Sequence, residues 1–86
     1  MARIFFDVDN GKLFARDNYG AECSDRESIA NEALHALCQI AEDHPHRYTG
    51  QALRIQARNS LDQVVLTASL SLTSAWHADF EQADAA

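Results

Sequence analysis

The run Ile4-Phe5-Phe6-Asp7-Val8, the tetrapeptide Asp9-Asn10-Gly11-Lys12 and the run Leu13-Phe14-Ala15-Arg16 together decide the fold. Asn-Gly supplies the two positive-φ residues of a type I′ turn, the tightest reversal of a right-twisted strand pair. With Asn10 and Gly11 as the loop, Val8 faces Leu13, Asp7 faces Phe14, Phe6 faces Ala15 and Phe5 faces Arg16. That register collects Ile4, Phe6, Val8, Leu13 and Ala15 on one side. Arg3, Phe5, Asp7, Phe14 and Arg16 fall on the other.

A second hairpin repeats the pattern nearer the C-terminus. Leu53, Ile55 and Ala57 alternate with Arg54, Gln56 and Arg58; Val64, Leu66, Ala68, Leu70 and Leu72 alternate with Val65, Thr67, Ser69, Ser71 and Thr73. Pairing Arg58 with Gln63 sets Ala57 opposite Val64, Ile55 opposite Leu66 and Leu53 opposite Ala68. The apolar sets again coincide. Between the hairpins, Asp17-Asn18-Tyr19-Gly20 is turn chemistry. Ser24-Asp25-Arg26-Glu27 has the form of a capping box. Ile29, Ala30, Ala33, Leu34, Leu37, Cys38 and Ala41 then recur at helical spacing. Pro45 disfavours helical geometry at His44, which predicts a helix ending near Asp43. His46 to Gly50 reads as a loop.

The order β-β-α-β-β predicts a two-layer α+β fold: a four-stranded, mainly antiparallel sheet with one helix on one face. The expected core is Ile4, Phe6, Val8, Leu13, Ile29, Ala33, Leu34, Leu37, Cys38, Ile55, Leu66, Ala68 and Leu70. Eighty-six residues suit a single domain, expected over 1–73 and followed by a tail, 74–86, in which Trp76 and Phe80 stand four apart as in a short helix. The apolar share of 47% is that of a globular chain. No apolar run approaches the roughly 20 residues that span a bilayer. Ile4–Asp7 is too short for a signal-peptide core. Two cysteines, Cys23 and Cys38, make neither a disulfide framework nor a four-ligand zinc set. Together these predict a cytoplasmic protein.

Arg3, Phe5, Phe6 and Asp7, then Asp17, Gly20 and Glu22, then Glu32, Ala33 and Leu37 carry a resemblance. They are similar to a family of short bacterial domains that open with an Arg-[Tyr/Ile]-Phe-Phe-Asp strand, followed by an Asp-x-x-Gly-x-Glu turn and a helix containing Glu-Ala. The likeness spans residues 3 to 72, with Ile4 standing where an aromatic is usual. The family is one of unknown function, so the resemblance implies a fold and a bacterial source but no activity.

Candidate chemistry is sparse. Cys38 lies on the apolar stripe of the helix, where free cysteine behaves as a small hydrophobe. Cys23 sits near the helix N-terminus, but Glu22, Asp25 and Glu27 favour its protonated thiol. His44-Pro45-His46 does not fix the tetrahedral geometry zinc requires. Asp7/Asp9 and Asp17/Glu22 lack the spacing of an EF-hand loop. Neither a phosphate cradle nor a nucleophile elbow is present. The expectation is a non-catalytic module without cofactor or metal.

What the alternation does produce is a polar sheet face carrying Arg3, Arg16, Arg54 and Arg58, together with Phe5, Phe14 and Val65. The acids Asp25, Glu27, Glu32, Glu42 and Asp43 lie instead on the helix. The formal net charge of -6 disfavours duplex DNA as a partner. A solvated antiparallel face is the ordinary state of such a sheet. Arg and Phe are nevertheless enriched in interfaces, and the exposed edge strands offer strand addition. The predicted role is interaction with a protein partner or with a second copy through Arg3, Phe5, Phe14, Arg16, Arg54, Arg58 and Val65. The alternative is single-stranded nucleic acid stacked on the same Arg/Phe face.

Overall fold

The computed structural model describes residues 1–78. Five strands and one long helix follow in the order β1 (Ala2–Asp9), β2 (Phe14–Ala15), β3 (Ala21–Cys23), α1 (Arg26–Asp43), β4 (Ala52–Arg58) and β5 (Val64–Ser71), with a 3-10 turn at Pro45–Tyr48 before β4. The sheet is antiparallel throughout: β1 and β4 pair at its centre and β5 forms one edge. At the other edge β2 and β3 both pair with β1. The expected α+β fold is present. It has a fifth strand because the partner of β1 is broken in two by residues 16–20. Of the predicted tail helix, Phe80 lies outside the described residues, and 73–78 carry no helix.

Both hairpins differ from prediction by two residues in register. Val8 pairs with Ala15 and Asp9 with Phe14, so the loop runs from Asn10 to Leu13. Only Gly11 in that loop has positive φ, at 91°, so the turn is not type I′. Side-chain carboxylate and amide oxygens shape it instead: Asp9 accepts from the Gly11 N–H at 2.7 Å, and Asn10 from Lys12 and Leu13 at 3.0 and 2.8 Å. In the second hairpin Leu53, Ile55 and Ala57 pair with Leu70, Ala68 and Leu66. Asn59 donates to the Gln63 carbonyl at 2.9 Å across a loop closed by Asp62 at φ 62°. A shift of two leaves each side chain on its face, because the strand repeat is two. The sorting of sides therefore survives the error in register.

Two positions do change sides, Val64 and Val65: pairing with Arg58 puts Val64, expected on the helix side, on the arginine face. Arg58 pairs with Val64 while its neighbour Ala57 pairs with Leu66, so the strand bulges there. Val65, predicted on the arginine face, instead lines a shallow groove with Arg26, Glu27, Ile29, Ala30 and Leu66 on the helix side.

The helix starts one residue later than the Ser24 box implies. Asp25 is the N-cap, accepting from the Ser28 N–H at 2.8 Å, while the Ser28 hydroxyl accepts from the Asp25 N–H at 3.1 Å. It ends at Asp43, before Pro45, as expected. Ala33, Leu37 and Ala41 are buried against Leu53, Ile55 and Tyr48, and a second cluster joins Ile4, Cys23 and Ala57. Phe6, Val8, Ile29, Leu66, Ala68 and Leu70 are partly buried around them. Three expected core residues are corrected. Leu13 lies in the β1–β2 loop, and Leu34 and Cys38 lie on a helix flank beyond the zone of contact; all three are exposed. Tyr48, expected in a loop, is buried instead.

Gly20 is where the chain between β2 and β3 meets β1. Its φ is 74°, and a Cβ there would stand 2.9 Å from Arg3 Cγ, 3.0 Å from the Ile4 carbonyl oxygen and 3.0 Å from the Phe5 ring. Gly20→Ala is expected to cost about 2 kcal/mol, from left-handed backbone strain plus a contact that backbone cannot easily relieve. Urea denaturation checks this; a loss below about 0.5 kcal/mol would show that the loop does not press on β1.

Candidate interaction surface

The sheet face opposite α1 is built in rows. Pairing sets Phe5 beside Arg58 and Val64, Asp7 beside Gln56 and Thr67, and Phe14 beside Asp9, Arg54 and Ser69. The predicted arginines are all here, and each is met by a carboxylate. Arg3 pairs with its cross-strand neighbour Glu22 at 3.0 Å and donates to the Tyr19 carbonyl at 2.7 Å. Arg54 meets Asp9 at 2.7 Å, and Arg16 meets Asp62 at 3.3 Å. These three pairs are partly or largely exposed and contribute little to stability.

Arg58 is different. Although it lies on the face away from the helix, it is 7% exposed, and its partner Asp7 is 6% exposed. Arg58 Nε donates to Asp7 at 2.8 Å, Nη1 to Asp62 at 3.2 Å and Nη2 to the Asp17 carbonyl at 2.7 Å. The guanidinium carbon also lies 4.7 Å from the centroid of the Phe5 ring. Asp7 accepts a further bond from the Asp17 N–H at 2.9 Å. Residues 16–20 and Asp62 thus fold over this end of the face, and an alternation that places Arg58 outward cannot see them.

Asp17 organises the turn that the sequence predicts at residues 17–20, accepting from the Tyr19 and Gly20 N–H groups at 2.9 and 3.1 Å. It also accepts at 3.0 Å from Phe6 N–H, a β1 amide facing the gap between β2 and β3. Burial raises its pKa, but the amides of Phe6, Tyr19 and Gly20 and the charge of Arg58 outweigh that, and the net shift is below the ordinary 3.8. A depressed folded-state pKa gives stability that is complete above 3.8 and lost as pH falls below it. Asp17→Asn should therefore lower Tm at neutral pH, with the gap from wild type narrowing on acidification past that value. A gap constant with pH would sink this assignment.

The face carries four arginines (Arg3, Arg16, Arg54, Arg58) against four paired carboxylates (Asp7, Asp9, Glu22, Asp62) and a fifth, Asp17, whose charge interacts with Arg58. The predicted local excess of positive charge does not exist there. The remaining aromatic candidate, Phe14, is exposed and lines a separate cleft with Val8, Leu13, Ile40, Tyr48 and Leu53. Burial pushes the Cys23 thiol pKa up, and Glu32, Glu22 and Asp25 add to this, which holds the thiol protonated. Among the described residues, no three His, Cys, Asp or Glu side chains stand together as a metal site, and no helix is long and apolar enough to cross a membrane.

What sequence reading underweighted is the opposite edge. β5 pairs with β4 alone among the described strands, so alternate N–H and C=O groups along its length point away from the sheet. From Val64 to Trp76 the chain holds no charged residue. Beside this edge, on the helix side, lie Val65 and Ala30. Leu34, one turn beyond Ala30 on the same flank, is 52% exposed. The signal was legible: natural edge strands are usually blunted by Lys, Pro or inward charge, and this one is not.

A family model described as Domain of unknown function (DUF6894) matches residues 3–71, from the first strand to the end of the last. No curated protein and no solved structure gives a significant match.

Proposed function

The chain belongs to the DUF6894 family, and from that premise we propose that it is a non-catalytic protein-interaction module working through the β5 side of the sheet. The observation that carries this is an uncharged strand edge, unpaired among the described residues and flanked by exposed apolar side chains, Leu34, Val64 and Val65. Unpaired backbone groups supply affinity and the adjacent apolar flank supplies selectivity, which is how strand addition works. The arginine face has less to offer a partner, since its guanidinium groups are already engaged by Glu22, Asp9, Asp62 and Asp7. Single-stranded nucleic acid is disfavoured for the same reason, its phosphates meeting five carboxylates. Two free cysteines suit the reducing cytoplasm expected for the protein.

Affinity capture with the tagged chain from its source cells, beside a Leu34→Ser/Val65→Ser variant, tests the proposal. Proteins held by wild type should fall at least tenfold on the variant. An identical set on both would remove the β5 side as the working surface.

A further inference from the structure

We propose that the partner at this edge is a second copy of the chain, joined β5 to β5 in antiparallel register about a two-fold axis. This rests on the function proposed above and names its occupant. With the axis at Ala68, Leu66 of one copy lies opposite Leu70 of the other, and Thr67 opposite Ser69. Even-numbered residues meet even-numbered ones, so both helices stay on the same side of one continuous sheet.

Three observations favour a second copy. A chain of net charge -6 repels its like over most of its surface, so self-contact requires a charge-free region, and residues 64–76 are that region. An isologous contact demands a patch complementary to itself. VVLTASLS meets this condition: its backbone is complementary by pairing, and its helix-side residues Leu66, Ala68 and Leu70 meet their own kind. Those three residues are only partly covered by α1 within one copy. A strand laid alongside would complete their cover.

The test is sedimentation velocity on the purified full chain, from about 1 µM to about 500 µM, a range that brackets ordinary dimer affinities. Wild type is expected to shift toward twice 9.5 kDa as concentration rises. Ser69→Pro removes an edge N–H. Thr67→Lys/Ser69→Lys places like charges opposite one another on the solvent face while leaving the β4 ladder intact. Each should raise the dissociation constant at least tenfold. Circular dichroism identifies a variant that fails to fold, and the lysine variant decides if the proline one does. Hydrogen exchange on wild type should show β5 amides gaining protection with concentration. A wild type that stays monomeric throughout, or a dimer indifferent to the lysine variant, overturns the inference. A monomer that still loses captured protein in Leu34→Ser/Val65→Ser would leave the interaction role standing with a different occupant. A monomer with no such loss would end both.

Discussion

Replacing Arg58 with alanine is expected to destabilise the protein by about 3–5 kcal/mol, the usual consequence of leaving one member of a buried ion pair without the other. Asp7 would keep the Asp17 N–H as a partner but lose the guanidinium 2.8 Å away. The same change uncovers the Phe5 ring and releases the bonds to Asp62 and the Asp17 carbonyl. Against a total stability of about 5–15 kcal/mol for a domain, that is a large fraction of what holds the fold together. The double variant Asp7→Leu/Arg58→Met should be markedly less harmful than the sum of its single changes, because no isolated charge remains. Urea midpoints for the four proteins close the cycle. A loss below about 1 kcal/mol for Arg58→Ala would show that Asp7 reaches water when its partner goes, as exposed pairs do.

Leu37→Ala is expected to cost about 2–5 kcal/mol, the range for deleting a buried leucine side chain. Leu37 is 1% exposed and, with Leu53 and Ile55, forms the packed centre beneath α1. The internal control is Leu34→Ala on the same helix. It makes the same chemical change at a half-exposed position and should cost about 1 kcal/mol or less in the monomer. Comparable losses at the two sites would mean that Leu34 is covered in solution, and their concentration dependence would say whether a second copy covers it.

Much of the fold was legible because alternation and helical spacing each report one thing well, namely which side chains share a face. Ile4, Leu37 and Ile55 were placed correctly on that basis. Register was not, because two competing pairings of an alternating strand differ by two residues and bury the same apolar set. The choice between them fell to Asp9, Asn10 and Asn59, whose side chains bond the loop amides. Val65 changed sides through a bulge that inserts a single residue. Leu34 and Cys38 were misjudged because the helical stripe is wider than the strip of sheet it rests on. The arginine face misled for a longer-range reason. Asp62 reaches Arg16 across 46 residues and the Asp17 carbonyl reaches Arg58 across 41, and no local pattern announces that these guanidinium groups will be engaged.

The pairing of β1 with β4 has a consequence for how the polypeptide is made. Phe5 pairs with Arg58 and Asp9 with Arg54, so the middle of the sheet joins two segments that leave the ribosome with the whole of α1 between them. Until residues 52–58 emerge, the nascent N-terminal strand can satisfy only one of its two flanks, through β2 and β3. Domain closure must therefore wait until β4 has been synthesised. A product released before Arg58 carries a helix and a frayed ribbon with no sheet centre, and such fragments should be cleared by proteases rather than accumulate.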